Sequence, residues 1–370
     1  MNAKKVLFVT RDKKPGMIAV RIAKVLQAQG AEIRVVAEVL SVAEWKSAGF
    51  DNCIVAEGPA DIKEPWGISA PTVLSDVRPS VTVVGLSSPI RSEAWFASAV
   101  QPQKSRTLFP GIPLVVLDDN WGATHRLSHQ ANLVLTCDEL GKRLVSQNPA
   151  YAHHDYKVEI IGDLSATAAS EQIPQATIDA FNAAKGDADY AFILASQKWP
   201  ESDDIIQIGL ESCALSLKSG ARIVVIPRFH PGAKPEDRER WNQKVVRFSE
   251  EFPNAVKILG DSSINTDHLA TLADGVFAAT GSALRAAAFA GKIPLCVWTP
   301  ALAEKLKAES GMEHHPLVAG DAAAELIMSG DIAALIKKCG DAIRAKQKEL
   351  LIPVPFDAEK AANAILAIAK

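Results

Sequence analysis

No apolar run in this 370-residue chain approaches the ~20 residues that a membrane-spanning helix needs, so a transmembrane helix is not expected. Cysteine is scarce and scattered. Cys53, Cys137, Cys213, Cys296 and Cys339 form no C-x-x-C and have no histidine at metal-ligand spacing, which leaves neither a disulfide framework nor a zinc site. Several of them lie in apolar runs, as buried thiols of a reducing compartment do. Charge of one sign is missing too: a formal net charge of −3 offers no general surface for nucleic acid. The strand-like run 6–10 is followed by Arg11-Asp12-Lys13-Lys14-Pro15-Gly16, which lacks G-x-G-x-x-G and with it the dehydrogenase dinucleotide fingerprint. No D-x-D with a flanking strand is expected, and there is no internal repeat or low-complexity tract. The chain passes from Met-Asn-Ala-Lys-Lys into its first strand without a signal-peptide pattern, so the expected location is the cytoplasm.

What the sequence does contain is an alternation of short, buried-type strands with helical periodicity. Strand 6–10, helix 16–29 and strand 33–37 make a βαβ unit. Further strands are expected at 53–56, 80–85, 112–117, 131–136 and 158–161, then at 190–195, 221–227, 255–259 and 276–279. Helices are expected at 201–216, 282–289, 322–328, 332–347 and 358–369. In open α/β sheets ligands bind at the carboxyl ends of strands, so residues there carry the functional reading. At Thr280-Gly281-Ser282 a strand delivers its end to a helix start, and backbone N–H groups, hydroxyls and the positive end of the helix dipole converge on a place suited to an anion. An ordinary βα turn with Ser282 as helix cap is the alternative. Arg228 and His230 follow another strand, one a planar fork of donors suited to phosphate, the other able to donate or to carry charge near neutral pH. Ser196 ends a third. In the first half, Ser87, Ser88, Pro89 and Arg91 follow one strand, and Asp118, Asp119, Asn120, Trp121 and His125 follow another.

The order Arg228-Phe229-His230-Pro231-Gly232, Thr266-Asp267-His268-Leu269, then TGSALRAAAFAGKIPL from Thr280 resembles the nucleotide-binding half of GT-B glycosyltransferases. The layout is shared by lipid A disaccharide synthase, MurG-type N-acetylglucosaminyltransferases, CDP-glycerol transferases and non-hydrolysing UDP-N-acetylglucosamine epimerases. The resemblance implies an α/β fold with two Rossmann-like domains facing across a cleft: residues 1–165 on the acceptor side, a linker over 166–187, a donor-binding domain over 188–352, and a C-terminal helix, 353–370, crossing back to the first domain. It implies that Arg228, His230, Thr280, Gly281, Ser282 and Arg285, with Ser196 beside them, hold the diphosphate of a nucleotide sugar, helped by the helix dipole in place of a metal ion. No cofactor is implied. Gly16 would let the first loop approach donor or acceptor, and serves equally as a helix-start glycine. For the base that deprotonates an acceptor hydroxyl, Asp119 and Asp118 are the candidates, with His125 the alternative and capping of the next turn the structural reading.

The implied activity is metal-independent, inverting transfer from a nucleotide-diphosphate sugar to a carbohydrate or lipid-linked acceptor, in envelope or polysaccharide synthesis. A lipid-linked acceptor would be met at a membrane surface. Hydrolysis or epimerisation of a nucleotide sugar, and non-catalytic binding or assembly, are the alternatives. One departure separates the branches: SALRAAAFAG lacks the carboxylates of the retaining transferases, carries Arg285 instead, and leaves the ribose without its customary partner. His315 is a candidate sugar contact, Trp121 a candidate stacking platform, and the pair His153 and His154 reads as loop histidines.

Overall fold

Strands buried on both faces read as unbroken apolar runs, and β1 (Lys5–Thr10), KVLFVT, is buried from Val6 to Thr10. The computed structural model describes residues 3–56, 69–88, 90–100, 109, 111–127, 129–151, 155–259 and 264–370; Pro89, His153 and His154 lie outside them. After β1 come α1 (Lys13–Ala28), β2 (Glu32–Glu38), α2 (Val39–Ser47), β3 (Ile54–Ala56), α3 (Ala70–Val77), β4 (Val81–Val84), α4 (Ser92–Val100), β5 (Leu114–Asp118), β6 (Leu133–Thr136), α5 (Glu139–Gln147) and β7 (Lys157–Ile160). These strands form one parallel sheet in the order β3-β2-β1-β4-β5-β6-β7. The order reverses between β1 and β4, where Val6 faces Val81 and Val9 faces Val84. That is the switch point at which the two flanking loops diverge and leave a crevice. α1 turns Ile18, Ile22 and Leu26 inward at helical spacing, and each such side chain contributes about 1.5–3 kcal/mol on burial. It begins three residues earlier than the periodicity predicts, so Gly16 lies inside its first turns. A Cβ there would stand 2.9 Å from Ser41 Cβ, so the glycine permits close packing of α1 on α2.

The second unit holds α6 (Leu164–Ser170), α7 (Gln175–Lys185), β8 (Tyr190–Ala195), α8 (Ser202–Lys218), β9 (Ile223–Arg228), α9 (Pro235–Glu251), α10 (Thr266–Leu272), β10 (Gly275–Ala278), α11 (Ser282–Phe289), β11 (Ile293–Val297), α12 (Pro300–Ser310), α13 (Pro316–Ala319), β12 (Ala324–Leu326) and α14 (Ile332–Leu350). Its parallel sheet runs β12-β11-β10-β8-β9, with the switch point between β8 and β10. The stretch 166–187, read as a linker, carries α6 and α7 within this unit, and α6 packs on α10 and α11. α15 (Ala358–Ile368) returns to the first unit and packs Ala361, Ala362 and Ile365 inward. The Asp357 amide donates to the Ile161 carbonyl at 2.7 Å and the Lys370 amide to the Ser80 carbonyl at 3.0 Å, fixing both ends of that return.

Two expected elements differ. Residues 322–328 are not helical: the open edge of β11 takes Ala324–Leu326 as β12, with Cys296 facing Glu325, and tertiary pairing overrides the helix preference of the alanines. The strand expected at 255–259 is reduced to one bridge, Val225 to Val256, because only Ala255 to Lys257 reach the edge of β9 and Ile258 turns out to solvent.

Candidate functional site

In the second unit the residues singled out at three strand ends are drawn together by hydrogen bonds. Ser196, just past β8, accepts from the His230 amide through Oγ at 2.9 Å, which joins the ends of β8 and β9. Gln197 spans the switch point, its Nε2 donating to the Thr280 carbonyl at 2.7 Å. Arg228 closes β9 and donates through Nη2 to the Ile264 carbonyl at 2.6 Å and through Nε to Thr266 Oγ1 at 3.4 Å, so its guanidinium fixes the approach to α10. His230 Nδ1 accepts from the Gly232 amide at 2.9 Å, which assigns the proton of the neutral ring to Nε2.

The turn itself is built around Gly281, at φ 112° and ψ −178°, a conformation that is nearly glycine-only. Gly281 is also the N-cap of α11. It has no side chain with which to cap, and the first turn of α11 carries no acid, so the opening N–H groups of this helix face the turn without a side-chain cap. Ser282 does not cap either: its hydroxyl donates to Asp267 Oδ1 at 2.8 Å. Asp267, whose own amide bonds the N-cap Asn265, thus stands as a half-buried carboxylate at the turn. We expect Gly281→Ala to cost about 1–3 kcal/mol, because an alanine must hold a strained φ. Denaturant titration checks this, and a stability change within error would remove the strain argument.

Arg285 stands in the middle of α11. It is 1% exposed, buried with α11 and within electrostatic reach of His315. His315 is the N-cap of α13, its Nδ1 accepting from the Leu317 amide at 3.3 Å and its ring edge-on to Trp298. It is a buried histidine, pushed down to about 3 by burial first and by the Arg285 charge second.

In the first unit the two adjacent aspartates part company. Asp118 is buried and accepts from Thr136 Oγ1 at 2.9 Å, tying β5 to β6, whereas Asp119 is half-buried and its carbonyl accepts from Lys14 Nζ at 3.0 Å. Lys14 also stands 3.5 Å from Asp163 Oδ1, past β7. A small cavity at these strand ends is lined by Ile18, Asp118, Asp119, Thr136 and Asp163. His125 sits in the short turn Ala123–Arg126 beyond β5, and burial lowers its pKa, so it is neutral at pH 7. Trp121 is not a stacking platform: it is 2% exposed, and its Nε1 donates to both carboxylate oxygens of Asp138 at 3.1 and 3.0 Å. The one D-x-D beside a strand, Asp187-Ala188-Asp189, escaped the sequence reading. It precedes β8, and both aspartates pair with Arg222, at 3.3 and 2.6 Å.

Other participants were missed as well. Gln197 and Lys14 were not singled out, although both stand in loops that follow strands, and Asp267 entered only within the Thr266-Asp267-His268-Leu269 motif.

No protein-family model and no curated protein matches the chain. Solved structures do. The UDP complex of MnaA from S. aureus matches with a TM-score of 0.66 at 11% identity, over 98% of this chain and 95% of that one. UDP-GlcNAc 2-epimerase from Neisseria meningitidis, bound to UDP-GlcNAc, matches with a TM-score of 0.63 at 15% identity over 98% of each chain. MurG from Acinetobacter baumannii matches at 0.57 and 12%, over 98% of this chain and 99% of that one. The chain has two parallel α/β units, each with its own switch point, and over nearly its whole length it carries the GT-B fold of these nucleotide-sugar enzymes.

Proposed function

We propose that the protein binds a nucleoside-diphosphate sugar on its second unit and transfers the glycosyl group to a hydroxyl acceptor without a metal ion. The observation that supports this most directly is the open amino end of α11 at the switch point, beside Arg228 and His230. A diphosphate leaving group needs donors fixed where negative charge develops, and these groups are donors held in place by their own hydrogen bonds. In this reading the first amides of α11, Nε2 of His230 and the guanidinium of Arg228 take the diphosphate. Asp267 is acceptor-only when ionised and takes the ribose hydroxyls, the role for which α11 itself offers no carboxylate. On the first unit, Asp119 or the neutral His125 deprotonates the acceptor, a carbohydrate or lipid-linked hydroxyl, while Asp118 braces β5.

A second reading, epimerisation of a UDP-sugar, is favoured by the UDP-GlcNAc 2-epimerases among the structural neighbours. One experiment separates the two. Thermal stability is measured with UDP, CDP, GDP and ADP, their sugars and their 2′,3′-dideoxy forms, with and without magnesium. A ligand at 100 times its Kd stabilises by about 2.7 kcal/mol. NMR then follows the sugar of the ligand that stabilises. Acceptor-dependent release of nucleotide is transfer, release without acceptor is hydrolysis, and a new sugar configuration still linked to nucleotide is epimerisation. No stabilisation by any nucleotide, in a folded sample, removes the nucleotide-sugar reading.

A further inference from the structure

Two histidines of the second unit stand before a proline, and both accept a hydrogen bond from the amide two residues on. At His315-Pro316-Leu317 the Nδ1 accepts at 3.3 Å, and at His230-Pro231-Gly232 it accepts at 2.9 Å. Proline disfavours the helical conformation in the residue before it, so each histidine lies just outside the turn it begins.

The two turns then part. After His315 the chain runs on as α13: the Val318 and Ala319 amides donate to the His315 carbonyl at 2.9 and 3.0 Å, and the Gly320 amide donates to the Pro316 carbonyl at 3.2 Å. After His230 the Ala233 amide donates to the His230 carbonyl at 3.0 Å, the counterpart of Val318, and the turn goes no further. Lys234 leaves it as the extended N-cap of α9, and Pro235, the counterpart of Gly320, has no N–H to give. Arg238, one turn into α9, fills both places. Its Nη2 donates to the His230 carbonyl at 2.8 Å and to the Pro231 carbonyl, which uses both hydrogens of that nitrogen. The helix itself does not call for a cation here. The positive end of its dipole favours acids, and Glu236 and Asp237 occupy the same turn.

Holding the Pro231 carbonyl has a consequence for the histidine ring. A peptide unit is planar, with C=O and N–H pointing opposite ways. With its carbonyl on Arg238, the Pro231–Gly232 peptide turns its N–H to the other side, where His230 Nδ1 accepts it. An Nδ1 that accepts carries no proton, so the proton of the neutral ring is on Nε2. The remainder of the loop is held by other groups: the His230 amide donates to Ser196 Oγ at 2.9 Å, and Phe229 packs edge-on against Trp241 of α9 with ring centroids 5.7 Å apart.

We propose that Arg238 is a positioning residue that acts through His230: it stands in for two missing helix amides, and by doing so fixes the tautomer that presents an Nε2–H to the diphosphate. The last step rests on the proposed nucleotide-sugar function; the control of the tautomer does not.

The test has two arms, both on the full chain. In the first, uniformly 15N-labelled protein is studied by NMR in mildly alkaline solution, where histidines are neutral, with the His230 signals assigned by their loss in His230→Gln. The wild type should show a protonated Nε2, an unprotonated Nδ1, and a scalar coupling across the Gly232 N–H···Nδ1 bond. In Arg238→Ala the coupling should vanish and the ring nitrogens should move toward the averaged shifts of free histidine. In the second arm, calorimetric titration of UDP, or of whichever nucleotide stabilises the protein, should show binding weakened about tenfold by Arg238→Ala, the worth of one hydrogen bond to a charged group. In the His230→Gln background the same substitution should weaken it no further, whereas a merely structural role, or attraction of the phosphates by the arginine charge, would weaken both backgrounds alike. A proton on Nδ1 in the wild type, an unchanged His230 signature in Arg238→Ala, or equal losses of affinity in the two backgrounds overturns the proposal. Should Arg238→Ala not fold, the wild-type coupling decides, and its absence overturns it. If no nucleotide binds the wild type, the diphosphate reading falls while the NMR arm still decides the tautomer.

Discussion

Arg228→Ala is expected to weaken nucleoside-diphosphate binding about 100-fold. Two charge-assisted hydrogen bonds between a guanidinium and phosphate oxygens, discounted for exposure, supply about 2.8 kcal/mol, and each 1.4 kcal/mol is a factor of ten. The side chain is half-buried and already fixed by Ile264 and Thr266, so little conformational entropy is lost when a ligand arrives. The same substitution unties the approach to α10, the helix that brings Asp267 to Ser282, and so loosens the acceptor as well as the donor side of the proposed site. Arg228→Lys keeps the charge but cannot present two parallel N–H groups, and should fall between wild type and alanine. Calorimetric titration of UDP, or of whichever nucleotide stabilises the protein, measures the effect, with unfolding monitored in parallel. An unchanged Kd for the alanine variant would take Arg228 out of the diphosphate assignment and leave the turn at Gly281 to bind alone.

The strands were the most legible part of the sequence, for a physical reason: parallel strands with helices on both faces must be apolar throughout, and 190–195 could be read almost as it folds. Helix 282–289 was equally clear, because a glycine precedes it and another follows it closely. The strand-end rule also brought Ser196, Arg228, His230 and Thr280 to one place, since it concerns topology and topology follows from element order. Side-chain pairing was not legible. Nothing in the sequence says that Ser282 turns its hydroxyl to Asp267, or that Asp187 and Asp189 are taken up by Arg222. Burial of charge was hidden as well. The resemblance puts Arg285 among the diphosphate donors, and nothing in its sequence says that α11 is buried from Ala283 to Ala288 and takes its arginine with it. Glu93 is similar: in SEAWFASAV it looks like a first-turn acid, an exposed role in most helices, and the two carboxylates that act on it, Glu38 and Asp12, come from elements far from it in the chain.

Acid should destabilise the protein through His315, and the sign follows from its environment. An unfolded histidine titrates near 6.5, and the folded one near 3, so the unfolded chain takes up a proton that the native state refuses. The stability tied to a neutral His315 is complete above the unfolded value and is lost as pH falls from 6.5 toward 3. At 1.36 kcal/mol per unit, the loss between pH 7 and pH 5 is about 2 kcal/mol, and at pH 4 about 3 kcal/mol, a large part of the 5–15 kcal/mol that holds a typical domain. Protonation would place a second cation beside Arg285 and would cost Nδ1 its acceptor role for the Leu317 amide, so α13 loses its cap as the charge appears. His315→Asn separates these effects, since asparagine can still cap the helix but does not titrate. The variant gives up ring packing against Trp298 and should be the less stable protein at pH 7, yet its stability should fall by about 2 kcal/mol less than the wild type's between pH 7 and pH 5. Denaturant titrations at the two pH values decide the matter. Histidines common to both proteins, His125 and His129 among them, contribute equally to each slope and cancel in the difference. Parallel slopes for wild type and variant would show that His315 either stays neutral in both states or meets its proton in the native protein without penalty.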